Sequence, residues 1–293
     1  MTWWVLVNPS AGSREPWDER VRRCLGGLGL DAQVRTSESA DHLRSLVAEG
    51  IAAGARRFVA VGGDGTVSLV ADALLRDPWD EPPTLGILPA GSGCDFVRTF
   101  GIPQDLEAAA RHLTGEATCL VDVGVAEGSW GVRRFLNVLD IGVIAATVHT
   151  AERATRRLGR YRYKAAFWVT LPLFHTTRVS LQMDRRTFEG KANTVVLANG
   201  QFFGFNMNVA PRASPSDGLL DVQIFSGPKT TALVLLPKVS RGRHLAHPAV
   251  TRFRSGSVAV TTERPWPIEV DGDYLGETPL RVWLEPQALR LKV

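Results

Sequence analysis

Three glycines wrapped around one carboxylate, Gly62-Gly63-Asp64-Gly65-Thr66, follow directly on the apolar run Phe58-Val59-Ala60-Val61. Glycines at a strand-to-helix turn let the backbone approach a ligand and aim its N–H groups at it. That arrangement suits phosphates. Asp64 repels phosphate unless a cation stands between them, so the combination points to a nucleotide bound with Mg²⁺. A plain tight turn needs one or two glycines and no acid. Asp95, beyond Pro89-Ala90-Gly91-Ser92-Gly93-Cys94, sits on a neighbouring loop and can share an ion with Asp64. Arg98 lies one helical turn further on and either offsets developing negative charge or holds the loop by an ion pair. Arg14, the one cation near the first turn, reaches a phosphate or faces solvent. Asp217-Gly218 and Asp271-Gly272 are turn signals, and the second presents a further carboxylate, Asp273, suited to take a proton from an acceptor hydroxyl.

Composition narrows the classes. The chain has 293 residues, enough for two domains or one large α/β domain, and is 44% hydrophobic and 22% charged, as a soluble protein with a core requires. A net charge of +4 permits attraction to an anionic surface without demanding nucleic acid. No apolar run is long enough to span a bilayer and no signal peptide opens the chain, which points to a cytoplasmic protein. Three scattered cysteines fit a reducing compartment, and none stands at zinc-ligand spacing from a histidine. A hydrolase Gly-x-Ser-x-Gly elbow, a Walker loop and an aromatic–basic nucleic-acid module are all missing.

The elements that must position these residues fall into two groups. Residues 3–7, 32–36, 58–61 and 85–88 read as strands, and 17–28, 39–53 and 105–113 as helices, with 119–125 extended. This alternation builds a parallel sheet covered by helices, whose ligands sit at the carboxyl ends of the strands. From about Asp122 the pattern becomes antiparallel β, with extended segments at 135–138, 178–183, 194–198, 220–225, 257–261 and 268–270. A basic amphipathic stretch at 151–173 and a helix at 230–239 interrupt it. In that stretch Arg153, Arg156, Arg157, Arg160, Arg162 and Lys164 run into Ala165-Ala166-Phe167-Trp168-Val169, which suits either a membrane interface or a packed helix with a solvated basic face. Phe202, Phe203 and Phe205 line a lipid pocket or belong to plain core. We expect an ATP-binding α/β domain over 1–121, rejoined by residues 282–293, and a β-sandwich-like lipid-binding domain over 122–281.

With these motifs in order, the chain resembles the diacylglycerol kinase catalytic superfamily, which includes sphingosine and ceramide kinases, and looks most like its soluble bacterial lipid kinases. The resemblance rests on Asn8-Pro9 with Gly12, the Gly62–Thr66 signature, Pro89 to Arg98, Phe135-Leu136-Asn137-Val138 with Gly142, Ala198-Asn199-Gly200, Ala210-Pro211, Asp217-Gly218-Leu219-Leu220-Asp221 and Asp271-Gly272-Asp273. It implies transfer of the γ-phosphoryl group of Mg-ATP to a hydroxyl of diacylglycerol or a similar lipid, in a cleft between the two domains. It implies nucleotide contacts at Asn8, Pro9, Ser10, Ala11, Gly12, Thr36, Gly62, Gly63, Asp64, Gly65, Thr66, Val67, Ser68, Leu69, Gly91 and Ser92. It implies a structural Mg²⁺ at Ser214, Asp217 and Leu219, the first and last through backbone carbonyls, and a network of Asp64, Asp95, Asp122 and Asp221 joining catalytic and structural metals. Asp273 matches the base position, with Glu277 nearby as a substitute. The family pattern has Asn and Glu where Ser68 and Leu69 stand, Asn for Cys94 and Glu for Asp273. The implied partners are a lipid at the membrane surface, with peripheral membrane contact, and a second copy in a homodimer. Two other readings stay open: a kinase acting on NAD, whose family shares Gly-Gly-Asp-Gly, and a nucleotide-binding regulatory module with weak catalysis.

Overall fold

The computed structural model describes residues 2–9, 16–90, 94–153, 161–204 and 206–293. Its first part alternates strand and helix: β1 (Trp3–Val7), α1 (Trp17–Gly27), β2 (Ala32–Thr36), α2 (Ala40–Ala52), β3 (Arg57–Gly62), α3 (Asp64–Leu74), β4 (Thr84–Pro89), α4 (Phe96–Thr99) and α5 (Leu106–Arg111). Then follow β5 (Thr118–Gly128), β6 (Gly131–Phe135), β7 (Val138–Gly142), α6 (Val143–Arg153), α7 (Tyr161–Leu173), β8 (Thr177–Met183), β9 (Thr187–Ala192) and β10 (Thr194–Ala198). The remainder is β11 (Phe202–Phe203), β12 (Met207–Asn208), β13 (Leu220–Phe225), α8 (Thr231–Val239), β14 (Val250–Ser255), β15 (Ser257–Thr262), β16 (Pro267–Val270), β17 (Asp273–Glu277) and β18 (Leu280–Lys292).

Local chemistry sets several boundaries. Ser39 accepts the backbone N–H of His42 at 3.1 Å and starts α2, and Asp105 does the same for Ala108 at 2.9 Å ahead of α5. Strands β1, β3 and β4 are apolar on both faces because helices cover both sides. They pair in parallel in the order β2-β1-β3-β4, so the chain leaves all four at one edge.

The sheet continues from β4 through β18, β15 and β8 to β9, with β5 on β18 and β6 on β5. A second sheet, β14-β13-β10-β7-β16-β17, is antiparallel. The fold is thus a mostly parallel α/β sheet followed by an antiparallel, sandwich-like part. Leu139, Ile141, Val195, Leu197, Val222 and Ile268 of the second sheet pack against Val179, Leu181, Val258 and Val282 of the first.

Three features differ from expectation. Residues 135–138 are not one strand: β6 ends at Phe135 in the first sheet and β7 starts at Val138 in the second, with Leu136 and Asn137 crossing between them. Residues 151–173 divide into the end of α6 and all of α7, and 154–160 lie outside the described residues. The 121/122 boundary falls inside β5, which pairs with β18 from Thr118 to Gly128. The β18 ladder is broken by a bulge between Glu285 and Leu289, where Pro286 cannot donate and Gln287 has φ 51°.

On the outer face of the second sheet Asp140 of β7 stands opposite Glu269 of β16. Both are buried. Burial pushes Asp140 up to about 6 against the pull of the Glu269 carboxyl and the Ala145 N–H, and pushes Glu269 well up, reinforced by the Asp140 charge. An acid whose folded pKa lies above its unfolded value of 3.8 destabilises the fold as pH rises from about 4 through about 6. Asp140→Asn removes that loss. Thermal denaturation across pH 4–8 should show little difference at pH 4 and a variant more stable by on the order of 2 kcal/mol at pH 8; a pH-independent difference would contradict the buried charge.

Candidate active site

The carboxyl ends of β1 to β4 bring Asn8, Thr36, Gly62 and Pro89 to one edge. Asn8 donates its backbone N–H to Val61 O at 3.1 Å and its side-chain amide to Thr66 Oγ1 at 2.9 Å. A Cβ at Gly62 would lie 2.5 Å from that of Thr66, so only glycine lets the helix start fold back over the strand end. Thr36 and Pro9 are exposed at the same edge. Ser10, Ala11, Gly12, Arg14, Gly91 and Ser92 lie outside the described residues.

Helix α3 begins at Asp64 with Gly63 as N-cap and no side-chain cap. The Asp64 carboxylate instead accepts the N–H groups of Asp95 at 2.7 Å and Phe96 at 2.9 Å, which fixes the start of α4 over the turn. Burial, with repulsion from the Asp95 and Asp271 carboxylates, pushes Asp64 up to about 7 despite those bonds. Asp95 accepts Arg98 Nε at 3.2 Å and the Asn206 N–H at 2.9 Å, so of the two roles open to Arg98 the ion pair is the one formed. Arg98 already balances Asp95, so the carboxylate short of positive charge is Asp64, which accepts only backbone N–H groups and would be the first ligand of a divalent cation here.

Beyond Thr66 the side chains of α3 turn inward. Val67 and Leu69 pack in the core. Ser68 is 1% exposed and reaches Arg134 O and the Asp271 carboxyl. The Val67, Ser68 and Leu69 side chains therefore pack inward, so the nucleotide contacts expected there would fall to the backbone.

The Asp271-Gly272 pair turns β16 into β17 with φ values of 47° and 99°, both in the left-handed region that suits this pair. Asp271 is more than a turn residue. Its carboxylate accepts the N–H groups of Leu136 (2.9 Å), Asn137 (3.1 Å) and Val138 (2.9 Å), and burial pushes it up to about 6. Asp273 follows with a half-exposed side chain. Its Oδ2 accepts Arg133 Nη2 at 3.1 Å, while a Cβ placed on Gly65 would lie 3.9 Å from its Oδ1. The structure thus brings Asp273 to the Gly63–Thr66 turn. Desolvation raises its pKa, and Arg133 and Arg44 lower it. Glu277 ends β17 opposite Pro267, away from this turn. Arg133 and Asp271 escaped sequence reasoning; the signal was an arginine pair ahead of Phe135 and an acid read only as turn chemistry.

The expected structural-metal set is arranged otherwise. Asp217 accepts the Leu219 N–H on Oδ1 and pairs with Arg254 on Oδ2. Asp221 lies 3.6 Å from Arg254 Nε and 3.9 Å from Arg252 Nη2. Asp122 accepts the Gly218 and Gln287 N–H groups at 2.7 and 2.9 Å. Ser214 contacts the Ser216 hydroxyl at 3.3 Å. Arg254 is thus the charge partner of Asp217, and a Mg²⁺ on the Ser214 and Leu219 carbonyls would have to share that carboxylate with it or displace it.

Comparison with known proteins decides the family. Residues 2–126 match the diacylglycerol kinase catalytic domain, and residues 137–293 match the YegS C-terminal NAD kinase beta sandwich-like domain. The chain belongs to the diacylglycerol kinase and YegS-like lipid kinase family. It is 31% identical over 282 residues to a protein named "Probable lipid kinase YegS-like" from Pseudomonas fluorescens, covering 95% of this chain and 92% of the relative. It is 25% identical over 282 residues to a diacylglycerol kinase of Bacillus subtilis, covering 94% and 90%. A crystal structure of a diacylglycerol kinase from Bacillus anthracis shares the fold with TM-score 0.74 at 22% identity, covering 99% of this chain and 96% of that one. Membership makes this chain a phosphotransferase of the kinase class.

Two stability predictions follow from the hydrogen bonds. Asp271→Ala strands three backbone N–H groups and should cost about 2–4 kcal/mol in denaturant unfolding; a loss below about 0.5 kcal/mol would contradict the assignment. Chelating divalent cations should leave the melting temperature of the nucleotide-free protein unchanged, whereas Arg254→Met should lower it by about 2–4 °C. A chelator-induced drop would show that a metal, and not Arg254, holds the Asp217 turn.

Proposed function

We propose that this kinase transfers the γ-phosphoryl group of Mg-ATP to a hydroxyl of diacylglycerol or a similar lipid alcohol. One observation carries the reading: the Asp273 carboxylate faces Gly65 in the turn whose N–H groups suit phosphates. The names of the B. subtilis and P. fluorescens relatives support a lipid acceptor.

In this reading the N-terminal turn of α3 cradles the phosphates with backbone N–H groups and the helix dipole. Asp64 and Asp95 would hold Mg²⁺, which supplies neutralisation of phosphate charge when bound. Asp273 takes the acceptor proton as the lipid oxygen bonds to the γ-phosphorus and the bond to the ADP oxygen breaks. Asp273 must be ionised to do so, and Arg133 favours that form against the desolvation that opposes it. Positioning of this kind, more than covalent help, is what phosphoryl transfer needs.

A lipid acceptor calls for contact with a membrane. Among the described residues no helix is long and apolar enough to cross one. Helix α7 exposes Trp168, Val169 and Leu173, and α8 exposes Leu233 and Val234. The two are tied where Lys229 Nζ donates to Pro172 O at 2.6 Å. Arg162, Lys164 and Lys229 supply cations nearby, so this face suits an anionic bilayer surface. Arg153 ends α6, and Arg156, Arg157 and Arg160 lie outside the described residues. Phe203 packs beside Val138 and Val196, and Phe205 lies outside the described residues.

The test is transfer of labelled γ-phosphate from Mg-ATP to diacylglycerol, monoacylglycerol, sphingosine, ceramide and a polyprenol in mixed micelles, with NAD as control. Label should enter a lipid. Asp64→Ala should abolish it, and Asp273→Asn should lower kcat by roughly 10²–10⁴-fold with a smaller change in ATP affinity. Label on NAD alone would replace this reading with a dinucleotide kinase, and ATP binding without transfer would favour a regulatory module. Separately, Trp168→Glu with Leu233→Glu should reduce sedimentation with phosphatidylglycerol vesicles; undiminished binding would remove this face as the contact.

A further inference from the structure

Arg133 is the one buried arginine among the described residues, at 8% exposure. A guanidinium taken out of water must be paired and hydrogen-bonded. Its nearby carboxylates belong to different layers of the molecule. Nη2 donates to Asp273 Oδ2 at 3.1 Å, on the first residue of β17. Nη1 stands 3.8 Å from Asp72 Oδ2, on α3. Its Nε is buried with no hydrogen-bond partner, so the two carboxylates orient the fork. Asp72 is itself anchored, because its Oδ1 accepts the Arg134 N–H at 3.1 Å. Helix α3 carries the phosphate-suited turn at its other end. The chain of contacts Asp72–Arg133–Asp273 therefore joins the helix of that turn to the strand that begins with the candidate base.

We propose that Arg133 is the positioning residue for Asp273: it holds Oδ2 so that Oδ1 faces Gly65 and the acceptor hydroxyl. This rests on the lipid kinase reading. Arg133 takes no proton and touches no reacting atom. It fixes where the base stands relative to the nucleotide turn and favours its ionised form. The other charged groups facing Asp273 are Arg44 from α2, Glu152 from α6 and Glu269 from β16. The Asp273 charge raises the proton affinity of both acids, and without Arg133 the cation left lowering that of Asp273 among the described residues is Arg44, against the desolvation. The direction is fixed: without Arg133, Asp273 binds its proton more tightly and titrates at higher pH.

The experiment has two readouts on the full chain. The first is the titration of Asp273, followed by carboxyl ¹³C NMR with the resonance assigned by its loss in Asp273→Asn. It needs no substrate, so it tests the pairing even if no lipid is phosphorylated. The second is kcat and the KM for ATP against pH, with whichever lipid accepts label. Arg133→Met should move the Asp273 titration and the acidic limb of the rate profile to higher pH. It should lower kcat by roughly 10–100-fold and leave the KM for ATP within about twofold. Arg133→Lys should return the titration toward wild type and recover only part of kcat, because an ammonium lacks the fork that spans both acids. An unmoved titration in Arg133→Met overturns the pairing. A moved titration with unchanged kcat, or equal losses in kcat and ATP affinity, overturns the positioning role. Should Arg133→Met fail to fold, Asp72→Asn decides. It keeps the acceptor for Arg134 N–H and frees Arg133 to lean on Asp273, so the titration should move to lower pH, opposite to Arg133→Met. No shift, or an upward one, overturns the proposal. Absence of any lipid activity in the wild type would refute the function and leave the titration arm to judge the pair.

Discussion

Leu136 and Asn137 carry the chain from one sheet to the other where neither sheet offers a ladder partner. Buried peptide groups must still be satisfied. The N–H groups of Leu136, Asn137 and Val138 all end on the Asp271 carboxylate. The carbonyls are met from the other side: Asn199 Nδ2 donates to Leu136 O at 2.8 Å, and the N–H groups of Asn199 and Gly200 donate to Asn137 O at 2.9 and 2.8 Å. One crossover thus pins the β16–β17 turn and the end of β10 together. Asp273, two residues past Asp271, inherits its place from that pin. Helix α3 grips the end of β6 two residues before the crossover, through Ser68 to Arg134 O and Asp72 to Arg134 N.

The cost of this arrangement is electrostatic. Asp64, Asp140, Glu269, Asp271 and Asp273 all have their proton affinity raised, with desolvation the largest cause each time. Stability alone does not select such a concentration of buried acid. The backbone N–H groups on Asp64 and Asp271 offset part of the penalty, and Arg133 offsets part at Asp273. At Asp64, which accepts backbone N–H groups and is raised to about 7, the imbalance persists in the protein by itself. That is the state expected of a site completed by a cation and an anionic ligand. At the Asp217–Asp221 end Arg254 and Arg252 pull the Asp221 proton affinity down from within the chain, but burial still leaves it raised.

The α/β half was legible because β1, β3 and β4 are apolar almost throughout and stop at Asn8, Gly62 and Pro89. A strand buried on both faces leaves that signature in any register. The second half was less so. Residues 135–138 look like one β-rich run, and nothing local says that the chain changes sheets after Phe135. Pro286 inside β18 argues against a strand by its missing donor, and only the bulge that hands the Gln287 N–H to Asp122 resolves the conflict. Among site residues, Asp64, Asp95 and Asp273 announced themselves through glycine-rich or turn contexts. Arg133 did not, because its meaning lies in two carboxylates 61 and 140 positions away, Asp72 and Asp273.

The positions where this chain departs from the family pattern are physically connected. Ser68 spends its hydroxyl on Arg134 O and Asp271, where a longer amide would not fit the 1% exposure of that site. Leu69 joins the core. Cys94 is buried with its thiol pushed well up by desolvation, and its carbonyl accepts Gln104 Nε2 at 2.9 Å. All three side chains are buried. The described part of the phosphate edge is then left with backbone N–H groups, Asn8, Thr66 and the Asp64–Asp95 pair. Asp273 is one methylene shorter than the glutamate of the family pattern, a deficit of about 1.5 Å in reach. Here the shorter carboxylate stands against Gly65 while Arg133, which also contacts Asp72 of α3, holds its other oxygen, so the helix of the turn and the strand of the base are joined through one guanidinium.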